Sequence, residues 1–323
     1  MQRRHFTLGL AGAGLFGASP LHAQTWPDKP VRLVLSQPPG SGPDNVARIL
    51  SDRLTKGWGQ AVVVDNKPGG QNTIGAQAAA RSAPDGQTFY FATTAALVTN
   101  AYLFKTLPYD PLKDFTPVAF VARSPFGLLV DANSSMTSLQ DFMDRTKAAP
   151  GKLALGNEGP RTFSGMISRL LAARAKIEPN QVAYSAVGVG VQDTLGGHVD
   201  ALVADLASTA SLVKAGKLRV LAVTSAQRVA GFDAVPTLAE SLPGFEMVGW
   251  FAIVAPTGTP AAVVQRANRD VNALLKERDV ADRIAAIGPL ADGSMSIEQV
   301  GAFLQAEHAR WAAITKEIGV LPE

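Results

Sequence analysis

A short apolar strand, a turn rich in glycine and proline, and an amphipathic helix follow one another repeatedly along this chain. The first copy has a strand at Val31–Leu35, a turn at 36–44 and apolar residues at helical spacing from 46 to 54. Ser41 or Gly42 is expected to cap that helix. Repetition of this unit predicts an α/β fold, in which helices cover strands that run parallel to one another.

Two further copies have the same order. One joins a strand at 61–64 to an alanine-rich helix at 74–81. The other joins a strand at 153–155 to a helix near 166–171, which Thr162 is expected to cap. Each turn ends at a helix start, where unpaired N–H groups and the helix dipole attract an anion. Because open α/β sheets bind ligands beyond the carboxyl ends of their strands, these turns indicate a binding site better than a catalytic one.

Two extended segments are expected where the chain passes between two lobes. The segment 123–126 lies between apolar stretches and is the predicted crossing into a second lobe, and 250–254 is the predicted return. The first lobe is therefore predicted to comprise residues 25–123 plus 251–323, and the second lobe residues 124–250.

The remaining local patterns concern helix ends and packing. Thr137 and Gln140 have the spacing of a capping box at the start of a helix. Near the end of the chain, apolar residues recur at helical spacing over 264–274 and 297–318. Both stretches are predicted to be helices that pack on the core, with Trp311 buried.

The first 23 residues predict an export signal that is not part of the fold. Arg3 and Arg4 precede an apolar stretch and small residues, and cleavage is expected near Ala23. The twin arginines allow either the twin-arginine route or ordinary secretion. Cleavage lowers the net charge from +3 to +1, because two arginines and no acidic residue are removed. The remaining charges are dispersed, which argues against a nucleic-acid partner.

Motifs that would indicate an enzyme or a cofactor site are absent or incomplete. The glycines at 12–17 match a dinucleotide fingerprint but lie in the export signal, and the Gly70 to Gly75 spacing of a phosphate loop lacks its Lys and Ser/Thr. The chain has no cysteine, which excludes thiolate metal sites and disulfides. His198 and His308 are far apart in sequence and are both expected at the surface. No catalytic residue, metal or cofactor is therefore predicted.

Short matches along the whole mature chain resemble one known family. In their order and spacing they resemble the solute receptors of tripartite tricarboxylate transporters, often called Bug receptors. The matching segments include Pro38-Pro39-Gly40, Asn66-Lys67-Pro68-Gly69, Ala83-Pro84-Asp85-Gly86, Leu107-Pro108-Tyr109-Asp110, Ala215-Gly216-Lys217-Leu218-Arg219 and Ala255-Pro256-Thr257-Gly258-Thr259-Pro260.

This resemblance implies a type II periplasmic-binding-protein architecture, with two Rossmann-like α/β lobes joined by two crossing strands. Such a receptor is expected to be a periplasmic monomer that closes around a small organic carboxylate and delivers it to the membrane permease subunits of a tripartite transporter. It is expected to bind no nucleic acid and to need no cofactor. Two alternatives stay open: an exported hydrolase that uses His198, and a carboxylate sensor receptor that is not coupled to transport.

The resemblance also implies which turns contact the ligand. In the family, the first two loops hold a carboxylate mainly through backbone N–H groups and ordered waters, and a loop of the second lobe faces the rest of the ligand. This chain departs from the family pattern at Gln37, where an aromatic residue is usual, and at Ser185-Ala186. The predicted ligand-binding residues are Gln37, Gly40, Ser41, Gly42, Gly70, Gln71, Asn72, Thr93, Thr94, Asn157, Arg161, Thr162, Gly188 and Asp205.

Three charged residues of the second lobe have particular expectations. Arg161 is predicted to bind a second carboxylate of the ligand, which would favour dicarboxylates; the alternative is a solvated arginine paired with Glu158. Glu158 itself is expected in an exposed turn. Asp205 ends a predicted strand and is expected to reach the cleft.

Overall fold

The structure is a computed structural model that describes residues 26–322, and its architecture is the predicted α/β fold. The predicted export signal at 1–23 lies outside the described residues. The strands of the described part are β1 Val31–Leu35, β2 Val62–Asn66, β3 Thr88–Thr93, β4 Phe115–Asp131, β5 Ala154–Asn157, β6 Asn180–Ala183, β7 Ala201–Asp205, β8 Leu218–Val223, β9 Val248–Pro256 and β10 Leu290–Ala291.

Helices pack on both faces of these strands. A 3₁₀ turn, Gly70–Asn72, precedes the second helix, and a π-helical segment, Ala95–Thr99, precedes the third. The α-helices are α1 Gly42–Trp58, α2 Thr73–Ala80, α3 Asn100–Leu103, α4 Leu139–Ala148, α5 Phe163–Ala175, α6 Val187–Leu195, α7 Leu206–Lys214, α8 Leu238–Ser241, α9 Ala261–Lys276, α10 Arg278–Ala286 and α11 Ile297–Glu317.

The first half of the sheet is built on three parallel strands. β1 lies between β2 and β3, with Leu33 opposite Val64 on one side and Phe89 on the other. β9 and the first part of β4 extend this half in antiparallel orientation, and β10 pairs with β4 at Ala122 and Arg123. Because helices cover both faces, β3 and β9 are buried along their whole length, which explains their continuous apolar sequences.

The second half of the sheet repeats this arrangement. β5 lies between β6 and β7 in parallel orientation. The last part of β4 pairs antiparallel with both β7 and β8, and Phe126 on β4 lies opposite Asp205 on β7. The carboxyl ends of the parallel strands in both halves therefore lie near the junction formed by β4.

β4 is a single strand of 17 residues that takes part in both halves. The sequence predicts two separate extended stretches with a crossing at 123–126, but backbone pairing continues through that segment. Residues 115–125 pair with β9, and residues 126–129 pair with β7. The two predicted crossing strands are thus β4 and β9, which are hydrogen-bonded to each other.

The predicted helix starts depend on local hydrogen bonds, and most lie where they are expected. Ser41 caps α1 by accepting the N–H of Asp44 at 3.4 Å, and Thr162 caps α5 in the same way. The capping box of α4 begins one residue later than predicted. Ser138 accepts the N–H of Asp141 at 3.1 Å, and the Asp141 carboxylate accepts the N–H of Ser138 at 3.1 Å.

The sequence does not predict α6, because Gly188 and Gly190 lie inside it and glycine is a poor helix former. A Cβ at Gly190 would lie 2.9 Å from Leu202 Cδ1 and 3.0 Å from Tyr184 Cδ2. Glycine therefore allows α6 to pack closely on β7, and this packing outweighs the low helix propensity.

α11 buries the apolar face that its sequence predicts. Trp311 is 1% exposed, and its ring centre lies 5.4 Å from that of Phe163 at the start of α5. The predicted surface position of His308 is wrong: the residue is 9% exposed, and Tyr102 Oη donates to its carbonyl at 2.6 Å. Desolvation by burial lowers the pKa of His308. The helix that covers His308 is distant in sequence, so spacing alone does not reveal its burial.

Candidate functional site

A cavity of about 980 Å³ lies where the two halves of the sheet meet. The turns after β1, β2 and β3 line one side, and the turns after β5, β6 and β7 line the other. The crossing strands contribute Ser124, Phe126 and Trp250. The cavity therefore lies beyond the carboxyl ends of parallel strands, where open α/β sheets bind ligands, and its volume suits a small molecule.

Asp44 organises the turn after β1. Its carboxylate is 1% exposed and accepts the N–H of Gly40 at 2.8 Å, Arg48 Nε at 2.8 Å and Asn66 Nδ2 at 2.9 Å. Asn66 Nδ2 also donates to the carbonyl of Gln37 at 2.9 Å. Burial acts to raise the pKa of Asp44, but these donors outweigh it and hold the pKa below its usual value. One buried carboxylate thus positions the loop at both of its ends.

The glycine N–H groups of this turn already have partners. Gly40 donates to Asp44, as described above, and Gly42 donates to Ser208 Oγ at 3.1 Å. Ser208 belongs to α7 of the other half, so the second bond joins the two sides of the cavity. The family resemblance implies that backbone N–H groups of this turn, together with ordered waters, hold the ligand carboxylate. In this structure they shape the loop and hold the two halves together.

The turn after β2 has an unusual backbone. Gly69, Gly70, Gln71 and Asn72 all have positive φ values, of 117°, 55°, 53° and 77°. Positive φ is uncommon for residues other than glycine and costs free energy, and such positions are concentrated at functional sites. Gln71 and Asn72 line the cavity. The strained loop therefore supports the predicted role of this turn in ligand binding.

Gln37 connects the first two turns. Its amide nitrogen donates to Asn72 Oδ1 at 3.0 Å and to Thr93 Oγ1 at 3.2 Å. Its Oε1 atom is buried and has no hydrogen-bond partner among the described residues. Gln37 thus replaces a usual aromatic residue with a polar group that ties three cavity-lining turns together and keeps an unused acceptor.

Glu158 lines the cavity, and its predicted position in an exposed turn is wrong. The side chain is half-buried, and Ser164 Oγ lies 3.4 Å from its Oε2 atom. Desolvation and the nearby Asp205 carboxylate raise the pKa of Glu158 to about 7, and the Ser164 hydroxyl opposes this only in part. A carboxyl group with a shifted pKa therefore faces the ligand space from the second half.

Asp205 lines the cavity beside Glu158 and also caps α7. Its carboxylate accepts the N–H of Ser208 at 2.9 Å and the Ser208 hydroxyl at 3.0 Å. Burial raises the pKa of Asp205 against these hydrogen bonds. Because Ser208 also accepts from Gly42, a chain of hydrogen bonds runs from the start of α1 to Asp205 across the junction.

The ionisable side chains of the cavity lining are acidic. Glu158 and Asp205 are its acidic members, and the described residues that line the cavity include no lysine, arginine or histidine. Positive potential must therefore come from backbone N–H groups and helix starts. The aromatic side chains of Phe126, Phe163 and Trp250 add apolar surface on the side of the second half and the crossing strands.

Ten of the fourteen predicted residues line the cavity: Gln37, Gly40, Ser41, Gln71, Asn72, Thr93, Thr94, Thr162, Gly188 and Asp205.

The other four have different surroundings. Gly42 donates to Ser208 near the start of α7, and the carbonyl of Gly70 accepts the hydroxyl of Thr73 at the start of α2. Asn157 is buried, with its Nδ2 atom bonded to Gln181 and its Oδ1 atom to the N–H of Gly159. Arg161 Cζ lies 5.8 Å from the centre of the Phe104 ring.

Several lining residues were not predicted. Ser124 and Phe126 belong to the segment that the sequence identifies as a crossing between the lobes. That assignment could have indicated that they line the cavity. Gln192 and Ser208 lie on α6 and α7, two helices that the sequence does not predict. Their contribution to the cavity could not be found without those helices.

No group of three or more His, Asp or Glu side chains among the described residues 26–322 is placed to hold a metal ion. No helix in the same range has both the length and the apolar sequence needed to cross a membrane.

Two α/β halves joined by crossing strands, with a cavity between them, define the periplasmic-binding-protein class of folds. The comparison with solved structures agrees. The structure titled R. palustris Rpa4515 with adipate has a TM-score of 0.87 and 32% identity, covering 92% of this chain and 100% of that chain. MatC from Rhodopseudomonas palustris with bound malate has a TM-score of 0.81 and 28% identity, covering 90% of this chain and 99% of that chain.

Residues 46–320 match the family described as tripartite tricarboxylate transporter family receptor. BugT of Bordetella pertussis is 33% identical over 312 residues, which cover 96% of this chain and 95% of BugT. This chain belongs to the tripartite tricarboxylate transporter receptor family, which confirms the resemblance noted in the sequence. It is a periplasmic solute-binding receptor of the Bug type.

Replacing Glu158 by glutamine is expected to reduce the pH dependence of stability. Because the pKa of Glu158 is about 7 in the folded protein and 4.5 is its usual value, the folded state keeps a proton that the unfolded chain releases between these pH values. The free energy of unfolding should therefore fall by about 2–3 kcal/mol between pH 5 and 8 in the wild type, and by less in Glu158→Gln.

Urea unfolding at several pH values measures this difference. Glu178→Gln is the matched control, because Glu178 is exposed in the same half and does not line the cavity. Equal pH profiles for the wild type and both variants would contradict the raised pKa.

Proposed function

We propose that this protein captures a small organic carboxylate in the cavity and delivers it to the membrane permease subunits of a tripartite transporter. The main support is the cavity itself, which is lined from both halves and lies at the carboxyl ends of their parallel strands. The adipate and malate bound to two structural relatives support a carboxylate as the ligand class.

We propose that the lobes are 25–123 plus 251–323 and 124–250, and that they close by bending of β4 and β9. Hinge closure around a ligand is common where two bodies are joined by short extended segments. Contacts between the halves include the bond from the Gly42 N–H to Ser208, the position of Arg161 over the Phe104 ring and the ion pair of Arg174 with Glu317.

The cavity-lining members of the predicted set are our candidates for ligand contact. Gln71 and Asn72 are placed by the strained turn, and Gln37 and Thr93 are hydrogen-bonded beside them. We propose that Arg161 stabilises the contact between the lobes by its position over the Phe104 ring. We therefore do not propose that Arg161 binds a second carboxylate of the ligand.

We infer that the protein binds its ligand without converting it. Its family is one of receptors, and His198, which the hydrolase alternative requires, is exposed and does not line the cavity. We also propose export by the N-terminal signal with cleavage near Ala23, and a monomeric receptor in the periplasm. Incubation with ligand followed by mass spectrometry should return the ligand unchanged.

Ligand binding is expected to stabilise the protein and to make it more compact. A ligand at 100 times its Kd adds about 2.7 kcal/mol to the free energy of unfolding. A thermal-shift panel of mono- and dicarboxylates and amino carboxylates should identify such ligands, and small-angle scattering should show a smaller radius of gyration with the best of them. The proposal fails if no carboxylate raises the midpoint and scattering does not change.

A further inference from the structure

We infer that the preferred ligand is an amino carboxylate, whose carboxylate lies at the turns of the first half and whose ammonium group binds Glu158 on the opposite side of the cavity. This inference rests on the proposed function and adds the chemistry of the second end of the ligand. It comes from the position of Glu158 and from the charges around it.

Glu158 has acceptor capacity that the protein does not use. Its N–H donates to Ser164 Oγ at 3.0 Å, which fixes the backbone of the turn. The Ser164 hydroxyl also lies 3.4 Å from Oε2, a long contact, and it is the hydrogen bond that the described residues show for this carboxylate. An ionised carboxylate has about four acceptor positions, so a donor in the cavity has room to bind.

The groups that face Glu158 do not compensate its charge. The charged group that acts on the pKa of Glu158 is Asp205, at the junction of β7 and α7, and it is also acidic. The side chains that line the cavity from α6 and from the turns after β1, β2 and β3 are uncharged. Arg161, in the same turn as Glu158, lies over the Phe104 ring and is not among the lining residues. A cationic group of the ligand would therefore supply the missing positive charge.

β4 and the start of α5 provide further groups in the cavity that suit an ammonium group. Ser124 is 1% exposed and lines the cavity, and its Oγ atom has no hydrogen-bond partner among the described residues. Ser124 and Phe126 lie two residues apart on β4 and so point to the same face of the sheet. The Phe126 ring lies 5.0 Å from that of Phe163, which follows the Glu158 turn. A hydroxyl acceptor and aromatic rings are common surroundings of ammonium groups.

A dicarboxylate is expected to bind less well at neutral pH. Its second carboxylate would lie near Glu158 and Asp205, and like charges in a partly buried site repel each other strongly. Binding would then require a proton on Glu158. An ammonium group instead forms a charge-assisted hydrogen bond with the ionised carboxylate. The two ligand classes should therefore respond to pH in opposite directions.

Calorimetry with ligands of matched length tests this inference on the full mature protein. The six-carbon set is 6-aminohexanoate, adipate and hexanoate, and the four-carbon set is 4-aminobutanoate, succinate and butanoate. At pH 7.5, in the set that fits the cavity, the amino carboxylate should bind at least about tenfold more tightly than the monocarboxylate. Glu158→Gln should remove most of this advantage, whereas Glu178→Gln should keep it.

The pH dependence provides a second readout. Between pH 7 and 8 the ammonium group, with a usual pKa of about 10, and the carboxylates of these ligands keep their charges, because a first carboxylate raises the pKa of the second by only about one to two units above the usual value of about 4. Over this range, amino carboxylate binding should tighten and dicarboxylate binding should weaken. Both trends should become smaller in Glu158→Gln.

The outcomes separate the two proposals. If dicarboxylates or monocarboxylates bind as tightly as the amino carboxylates, and Glu158→Gln changes none of these affinities, the receptor function stands and the ammonium site is wrong. If no ligand of either set binds at any pH, the proposed carboxylate function fails, and the inferred ammonium site fails with it.

Discussion

Replacing Asp44 by alanine is expected to destabilise the protein and to abolish ligand binding at concentrations that saturate the wild type. The variant leaves the N–H of Gly40 and the side chain of Asn66 without their buried acceptor. An unpaired buried donor costs about 1–3 kcal/mol, and we expect about 2–4 kcal/mol in total because water from the cavity can reach part of the loop. The loop that Asp44 shapes also lines the cavity, so the affinity should fall by about 100-fold or more.

Urea unfolding and calorimetry with the best carboxylate ligand measure these two effects. Asp52→Ala is the matched control, because Asp52 lies on the same helix and is exposed. Its free energy of unfolding should change by no more than about 0.5 kcal/mol. If both variants behave alike, Asp44 does not organise the loop.

Because of the Asp44 carboxylate, we also expect the protein to lose stability in acid. The hydrogen bonds of the folded state hold the pKa of Asp44 below its usual value. The contribution of Asp44 to the free energy of unfolding is therefore complete above 3.8, its pKa in the unfolded chain, and is lost as the pH falls through its lower pKa in the folded protein. The difference between the wild type and Asp44→Ala should therefore shrink below about pH 4.

Replacing Gly42 by alanine is expected to impair closure without unfolding the protein. A Cβ at this position would overlap Asp205 Oδ1 and would lie 2.7 Å from Ala207 Cβ, and both atoms belong to the other half. The halves must then separate or shift, which should weaken binding by about 10–100-fold and leave a larger radius of gyration with ligand present. The first turn of a helix tolerates alanine well, so the free energy of unfolding should change little.

Gly57→Ala is the matched control for this variant. Gly57 lies on the same helix, and no other group lies within 4 Å of the position that its Cβ would occupy. This substitution should keep the affinity and should stabilise the protein by up to about 1 kcal/mol. Wild-type affinity and compaction in Gly42→Ala would show that the contact between α1 and α7 is not needed for binding.

Local sequence patterns predicted the units that surround the cavity. The strand β1, the cap at Ser41 and the cap at Thr162 all lie where the sequence places them. These features depend on side chains within about one helical turn of each other, and such interactions can be identified from spacing. The family resemblance, which combines many short matches, extended the prediction from single units to the two-lobed fold.

Other positions depend on contacts between segments that are distant in sequence. α6 forms although Gly188 and Gly190 disfavour a helix, because Gly190 allows it to pack closely on Leu202 and Tyr184. His308 is buried because Tyr102 and its neighbours cover it. The sequence contains the residues of these contacts but not their distances.

The chemistry of the cavity depends on the order of the strands. Turn positions could be identified from glycine, proline and strand patterns, whereas the meeting of Glu158, Asp205 and Phe126 follows from the pairing of β7 with β4 on one side and with β5 on the other. The shifted pKa of Glu158 arises from desolvation and a neighbouring charge, and both depend on three-dimensional distance. Residue type and spacing were therefore enough to predict that ligand-binding turns exist, while the pair of acidic side chains in the cavity follows from the way the strands pack together.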